Sequence, residues 1–185
     1  EKLKSLDIQN VLDFELINKA IYFARKYHGD QKRKSGELYY THPLEVAYMI
    51  SDYNLKTDVI VASILHDTVE DTEVSVEMIQ GTFGKRIAQM VDRLTRDRPD
   101  GTKLTVEEVL NNSYKVKERE VLLIKLFDRL HNMQTLGCIL PEKAKKITEE
   151  TLNFFIITAM YMGYKDLEKV IYELCCNNLS IDSSF

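Results

Sequence analysis

Apolar residues recur at helical spacing along nearly the whole chain. Ile17, Ala20, Ile21, Ala24 and Tyr27 fall at i, i+3 and i+4, which predicts a helix over residues 13–27 ended by Gly29. Residues 31–41 read as a polar loop around Ser35-Gly36. Pro43 then stands near the first position of a second helix carrying Leu44, Ala47, Tyr48 and Ile50. Thr57 is the expected N-cap of a third helix over 58–69. Its run Val59-Ile60-Val61-Ala62-Ser63-Ile64-Leu65 is apolar almost all round, so this helix belongs at the centre of the fold. Ser75 is expected to cap a short helix, with residues 81–84 separating it from a helix over 85–95. DRPDGT (97–102) is the clearest loop. Further helices are predicted over 106–116, 118–133, 141–162 and 166–175, and residues 177–185 as a polar, frayed tail. No convincing pair of alternating strands occurs. The expected fold is all-α: one compact multi-helix domain over 1–185, with its core at about 13–175 and a buried central helix.

A length of 185 residues suits one domain. Hydrophobic residues at 44% and charged residues at 29% exclude a disordered or membranous chain. The longest apolar stretch, 154–162, is interrupted by Thr158 and is too short to span a bilayer. No secretory signal opens the sequence, so no membrane partner is expected. The first residue is Glu1 rather than Met, so a short preceding segment is expected. Cys138, Cys175 and Cys176 are odd in number and two are adjacent, a poor disulfide framework. They point to a reducing, cytoplasmic setting, and the lack of a CxxC pair argues against a thiolate zinc site. Net charge is −4, with one dense basic patch at Lys32-Arg33-Lys34. That balance argues against a nucleic-acid partner. The patch suits a compact phosphorylated ligand, or is simply a solvated loop.

Chemistry-bearing side chains concentrate in RKSGELYYTHP (33–43), HDTVED (66–71), FDRLHNM (127–133) and the isolated His28. On a continuous helix, His66 with Glu70 and Asp67 with Asp71 share faces. Three carboxylates so close repel one another unless a cation lies among them. HDTVED is therefore a metal edge or a capped, solvated helix end, and its position after an apolar core helix favours the metal. Asp128 interrupts the apolar run 121–127 and shares a face with Asn132; it is a ligand or the salt-bridge partner of Lys125 or Arg129. His42 precedes Pro43, which biases it out of the α region and places it just outside its helix, as a ligand or a cap. His28 is read as a cap of the preceding carbonyls, and His131 as lying beside a different stripe from Asp128. Two histidines with two aspartates suit Mn²⁺, Fe²⁺, Co²⁺ or Zn²⁺ better than Mg²⁺ or Ca²⁺. Such an ion polarises a phosphoryl oxygen and acidifies water, leaving Glu70 and Asp71 free to handle protons.

RKSGELYYTHPLEVA, ILHDTVEDT, FGKRIAQMVDRLT and IKLFDRLHNMQTL, in this order, resemble the HD hydrolase domain of RelA/SpoT-type proteins, which degrade ppGpp and pppGpp. The resemblance spans roughly residues 13–175 and implies an all-helical HD-domain bundle that binds one Mn²⁺. It implies that His42, His66, Asp67 and Asp128 are the metal ligands and that Glu70 and Asp71 act on the attacking water. It brings Arg33, Lys34 and Ser35 near a guanosine nucleotide substrate, with Asn132 and Thr135 lining the pocket. The implied reaction removes the 3′-pyrophosphate, giving GDP or GTP and pyrophosphate. The chain looks like a stand-alone small alarmone hydrolase or an excised domain. Two departures bear on substrate range: Arg93-Leu94-Thr95-Arg96 replaces a Gly-Val-Thr-Lys segment, and Phe127 replaces a small residue before the last ligand. Two rival readings are a phosphohydrolase acting on another phosphorylated nucleotide such as NADPH, and a non-catalytic alarmone-binding module. Tyr39 and Tyr48 are the aromatic candidates for stacking on a base. Oligomeric state is left open.

Overall fold

A computed structural model describes residues 2–182, and helices account for nearly all its regular structure. A short helix α1 (Lys2–Leu6), unforeseen in the sequence pattern, precedes α2 (Phe14–His28), whose N-cap Asp13 accepts from the Leu16 amide. Next come α3 (Thr41–Ile50), α4 (Thr57–Leu65) and the four-residue α5 (Thr68–Asp71). After α6 (Val76–Phe83) and α7 (Lys85–Leu94) the chain enters α8 (Val106–Lys115), which opens on a Thr105/Glu108 capping box. The second half holds α9 (Arg119–Gln134), α10 (Pro141–Glu150), α11 (Ile156–Met162) and α12 (Lys165–Asp182). Among the described residues β structure is limited to two isolated bridges, Lys32 with Leu38 and Asp97 with Lys103, each closing a narrow turn.

The all-round apolar run does form the central helix. Residues 59–65 of α4 are all buried. α4 packs against α2, α3, α7 and α9, while α3 packs against both α4 and α9. α9 is the second pillar, burying Val121, Leu122, Leu123, Ile124, Leu126 and Phe127. The start of α3, the end of α4 and the middle of α9 therefore meet at one place.

Several boundaries differ from the sequence pattern. Lys56, not Thr57, is the N-cap of α4, because the Thr57 hydroxyl accepts from the Asp13 amide and ties the start of α2 to α4. α4 stops at Leu65 rather than running to 69; the backbone turns at Asp67 (φ −98°, ψ −7°) before α5 begins. α6 continues through Gly81 to Phe83, so only Gly84 separates it from α7. The expected helix over 141–162 is interrupted by a π-helical turn, Thr151–Phe155. The tail is not frayed over residues 177–182, which complete α12, and residues 183–185 lie outside the described part. No described helix is long and apolar enough to cross a membrane.

Candidate metal centre and substrate cleft

His42 lies inside α3, at its second residue, not outside the helix. Pro43 is tolerated there because a first-turn amide has no partner within the helix. The turn is closed instead by the His42 amide donating to the Tyr39 carbonyl at 3.0 Å. The ring is buried, with Nε2 3.2 Å from Asp128 Oδ1 and 3.5 Å from Asp67 Oδ2. His66 follows α4 directly and is 1% exposed. Its Nδ1 donates to the Ser63 carbonyl at 2.7 Å, which leaves Nε2 to face the carboxylates. That atom lies 3.1 Å from Asp67 Oδ1 and 3.6 Å from Asp128 Oδ1, yet it is buried with no hydrogen-bond partner.

One ligand atom each from His42, His66 and Asp128 lies within 4.8 Å of the others, and Asp67 stands beside both rings. Such convergence of two imidazoles and two carboxylates fits a divalent cation. An orphaned, buried ring nitrogen facing carboxylates has the chemistry of a metal ligand. The charges agree. Burial opposes a charged His66 ring, but Asp67 and Asp128 outweigh it and raise His66 to about 10. Burial likewise opposes ionisation of Asp67 and Asp128, and the neighbouring cationic groups, His66 for Asp67 and Lys125 for Asp128, hold both carboxyls below the ordinary range.

Both alternatives left open for Asp128 coexist. Its Oδ1 faces the two histidines and accepts from Asn132 Nδ2 at 2.7 Å, while Oδ2 lies 3.3 Å from Lys125 Nζ. Arg129 turns away to Glu150 and lies over the Phe155 ring. His131 sits on the far side of His42, Nδ1 to Nδ1 at 2.9 Å, with Arg33 Nη1 3.3 Å from the same nitrogen. Burial, His42 and Arg33 lower His131 to about 4, so its ring stays neutral between the two.

The centre opens into a cleft of about 550 Å³ lined by Arg33, Tyr39, Glu70, Asp71, Arg96 and Asn132, among others. Arg33 donates to Asn132 Oδ1 at 2.7 Å and lies 3.4 Å from Thr135 Oγ1, so three of the expected substrate residues touch one another. Lys34 and Ser35 are exposed and line an adjoining cavity of about 310 Å³. Glu70 and Asp71 diverge: Glu70 accepts from the Arg96 amide, whereas Asp71 accepts from the Tyr39 hydroxyl at 2.7 Å.

Of the two tyrosines, only Tyr39 reaches the cleft; Tyr48 is exposed, with Lys2 over its ring. His28 does not cap carbonyls with its side chain. It bonds Gln31 Oε1 at 3.0 Å and stacks on Tyr39, while the Gly29 amide closes the helix. Phe127 packs on Tyr53 and is absent from the cleft wall, so this departure reshapes the opposite side of α9. The other departure does bear on the cleft, because Arg96 lines it while Arg93 pairs with Glu118. Sequence reasoning missed Lys125, Lys143 and Lys146 as cleft residues. The signal for them was spacing: Lys125 lies one turn before Asp128, and Lys143 and Lys146 share one face of α10.

The chain is similar to known proteins. The profile of the HD domain family matches residues 20–163. A Brucella suis protein named GTP pyrophosphokinase rsh is 38% identical over 173 residues, covering 91% of this chain and 23% of its own length. An Aquifex aeolicus guanosine-3′,5′-bis(diphosphate) 3′-pyrophosphohydrolase is 38% identical over 154 residues, covering 80% of this chain and 22% of that protein. The chain thus spans less than a quarter of these curated relatives. A solved structure, described as a metazoan ortholog of SpoT that hydrolyses ppGpp, superposes with a TM-score of 0.72 at 22% identity, covering 88% of this chain and 94% of the other. At that identity the superposition shows a shared fold.

Proposed function

Because the chain belongs to the HD domain family, we propose that it is a Mn²⁺-dependent hydrolase that removes the 3′-pyrophosphate of ppGpp or pppGpp, giving GDP or GTP and pyrophosphate. The observation that carries this reading is the orphaned Nε2 of His66, facing Asp67 and Asp128 at the head of a cleft that Arg33, Arg96, Lys143 and Lys146 also line. The names of the relatives from Aquifex and Brucella support the substrate class. The ligands are His42, His66, Asp67 and Asp128, and residues of about 13–175 form one catalytic domain. The mixed nitrogen and oxygen set suits Mn²⁺ and also accepts Fe²⁺, Co²⁺ or Zn²⁺. A bound ion of this kind supplies a Lewis acid for a phosphoryl oxygen and a lowered pKa for water.

The residues of the chain do the rest. Asp71 accepts the proton of the attacking water and Glu70 helps orient it. The water oxygen bonds to the phosphorus attached to the ribose 3′ oxygen. That P–O bond breaks, and the 3′ oxygen takes up a proton. Arg33, held by Asn132, meets phosphate oxygens with a planar fork, and Lys34 adds a mobile charge at the rim. Ser35 and Thr135 complete the nucleotide contacts. With three cysteines in no disulfide, we assign the activity to the cytoplasm.

The test is pyrophosphate release from ppGpp with and without Mn²⁺, with orthophosphate followed in parallel. Release of pyrophosphate only with metal is expected. No release by a folded, metal-loaded protein rejects the alarmone as substrate, and orthophosphate alone points to another phosphorylated nucleotide.

A further inference from the structure

Asp71 ends α5, a helix of only four residues followed by extended backbone at Thr72. Its own amide makes one helical bond, to the Asp67 carbonyl at 3.0 Å. So short an element has little power to fix the direction of its last side chain. Yet a proton acceptor must be held within a fraction of an ångström of its task. Restraint reaches Asp71 from another part of the chain. The Tyr39 hydroxyl donates to Oδ2 at 2.7 Å, and the Gln31 side-chain amide donates to the Asp71 carbonyl at 2.8 Å.

These two donors are locked together. The Tyr39 amide donates to the Gln31 carbonyl at 2.8 Å, and Gln31 Oε1 bonds His28 Nδ1 at 3.0 Å. The His28 ring, 1% exposed, stacks on Tyr39 with centroids 4.8 Å apart and planes 21° apart. Tyr39 thus has one face on His28 and its edge towards His42, so its hydroxyl has a fixed aim. A phenol carries one proton. The shorter contact takes it to Asp71, and Asp67 Oδ2 at 3.3 Å is the lesser neighbour.

We propose that Tyr39 is a positioning residue that fixes Oδ2 of Asp71 and leaves Oδ1 to meet the attacking water, with His28 and Gln31 clamping it from behind. The proposal rests on the reading that Asp71 accepts the water proton.

Tyr39→Phe removes the hydroxyl and keeps the ring on His28, so folding should survive. We expect kcat to fall about 10–100-fold, the range for outer partners of a metal site. KM and the Mn²⁺ Kd, the latter read by direct titration, should each move less than about threefold. In an Asp71→Asn background, Tyr39→Phe should cost nothing further, because both act through one carboxylate. An unchanged kcat, a loss of Mn²⁺ affinity matching the loss of kcat, or a full multiplicative loss on top of Asp71→Asn each overturns the proposal. Hydrogen exchange of amides 67–72 in the Mn²⁺-loaded protein needs no substrate, and Tyr39→Phe should speed it about tenfold. Should the unaltered protein fail to hydrolyse ppGpp, the substrate reading falls while this exchange still decides the clamp: unchanged rates reject it.

Discussion

His66 has one ring nitrogen committed to a backbone carbonyl and the other aimed at two carboxylates, and its behaviour with pH follows. Without metal its folded pKa of about 10 lies above the ordinary 6.5. The stability it contributes is therefore complete below about 6.5 and is lost as pH rises through about 10. Asp67 and Asp128 are lowered, so their contribution is present above about 3.8 and is lost as pH falls. A divalent ion must displace the His66 proton. Mn²⁺ affinity should thus rise by up to about tenfold per pH unit from pH 6.5 towards 10, with about one proton released per ion. Titrations at several pH values check this, and a flat affinity contradicts it. Asp128→Asn tests the ligand set separately. At about 100 times its Kd, Mn²⁺ should stabilise the unaltered protein by about 2.7 kcal/mol. In a thermal melt that gain should vanish in Asp128→Asn. At this scale the sequence showed that HDTVED gathers more carboxylate than an uncompensated helix end tolerates. It could not show Glu70 and Asp71 parting to Arg96 and Tyr39, because that follows from the turn at Asp67 and from partners far away along the chain.

Helical periodicity located the long elements because burial of one face and the apolar repeat are the same fact. Their ends obeyed other forces. Thr57 has the chemistry of a cap but spends its hydroxyl on Asp13, a partner 44 residues away. The break between α6 and α7 lies at Gly84 alone, whose φ of +90° and ψ of 165° suit glycine. This separates two glycines three residues apart. A Cβ at either would meet nothing within 4 Å, so crowding does not decide the outcome. Gly84→Ala should destabilise the protein by about 1–3 kcal/mol through backbone strain. Gly81→Ala, inside α6, should stabilise it by about 0.5–1 kcal/mol through helix propensity and a less disordered unfolded chain. Opposite shifts in denaturant midpoint with equal m-values are the expected result. The π turn at Thr151–Phe155 left no periodic signature, since the buried positions Thr148, Thr151, Phe155, Thr158 and Ala159 keep the i+3/i+4 spacing through it. It lies where Glu150 and Phe155 meet Arg129 at the cleft wall.

Over the whole molecule, a negative net charge coexists with a local cluster of cations. The chain carries −4, yet Arg33 and Arg96 line its cleft together with the exposed Lys143 and Lys146, and Lys32 and Lys34 lie on the adjoining cavity. An overall negative molecule repels a polyanion at long range, while cations clustered at a cleft between low-dielectric walls draw it in at short range. Composition alone gave the first half of this. The second needed the fold, because the basic residues come from the 31–41 loop, the turn after α7 and one face of α10, which only tertiary packing brings to one cleft. Screening acts on the two halves differently. The Debye length shrinks from about 30 Å at 0.01 M salt to about 8 Å at 0.15 M. Attraction at the rim between exposed lysines and substrate phosphates is weakened across that range, while contacts made inside the cleft by the half-buried Arg33 are shielded far less. For a substrate with two diphosphates, kcat/KM should therefore fall several-fold over this range while kcat changes little. A Lys143→Ala, Lys146→Ala double variant should show a flatter salt dependence, with a lower kcat/KM at low salt and a similar value at high salt. A kcat that tracks kcat/KM would locate the salt effect in the chemical step and contradict steering by the rim.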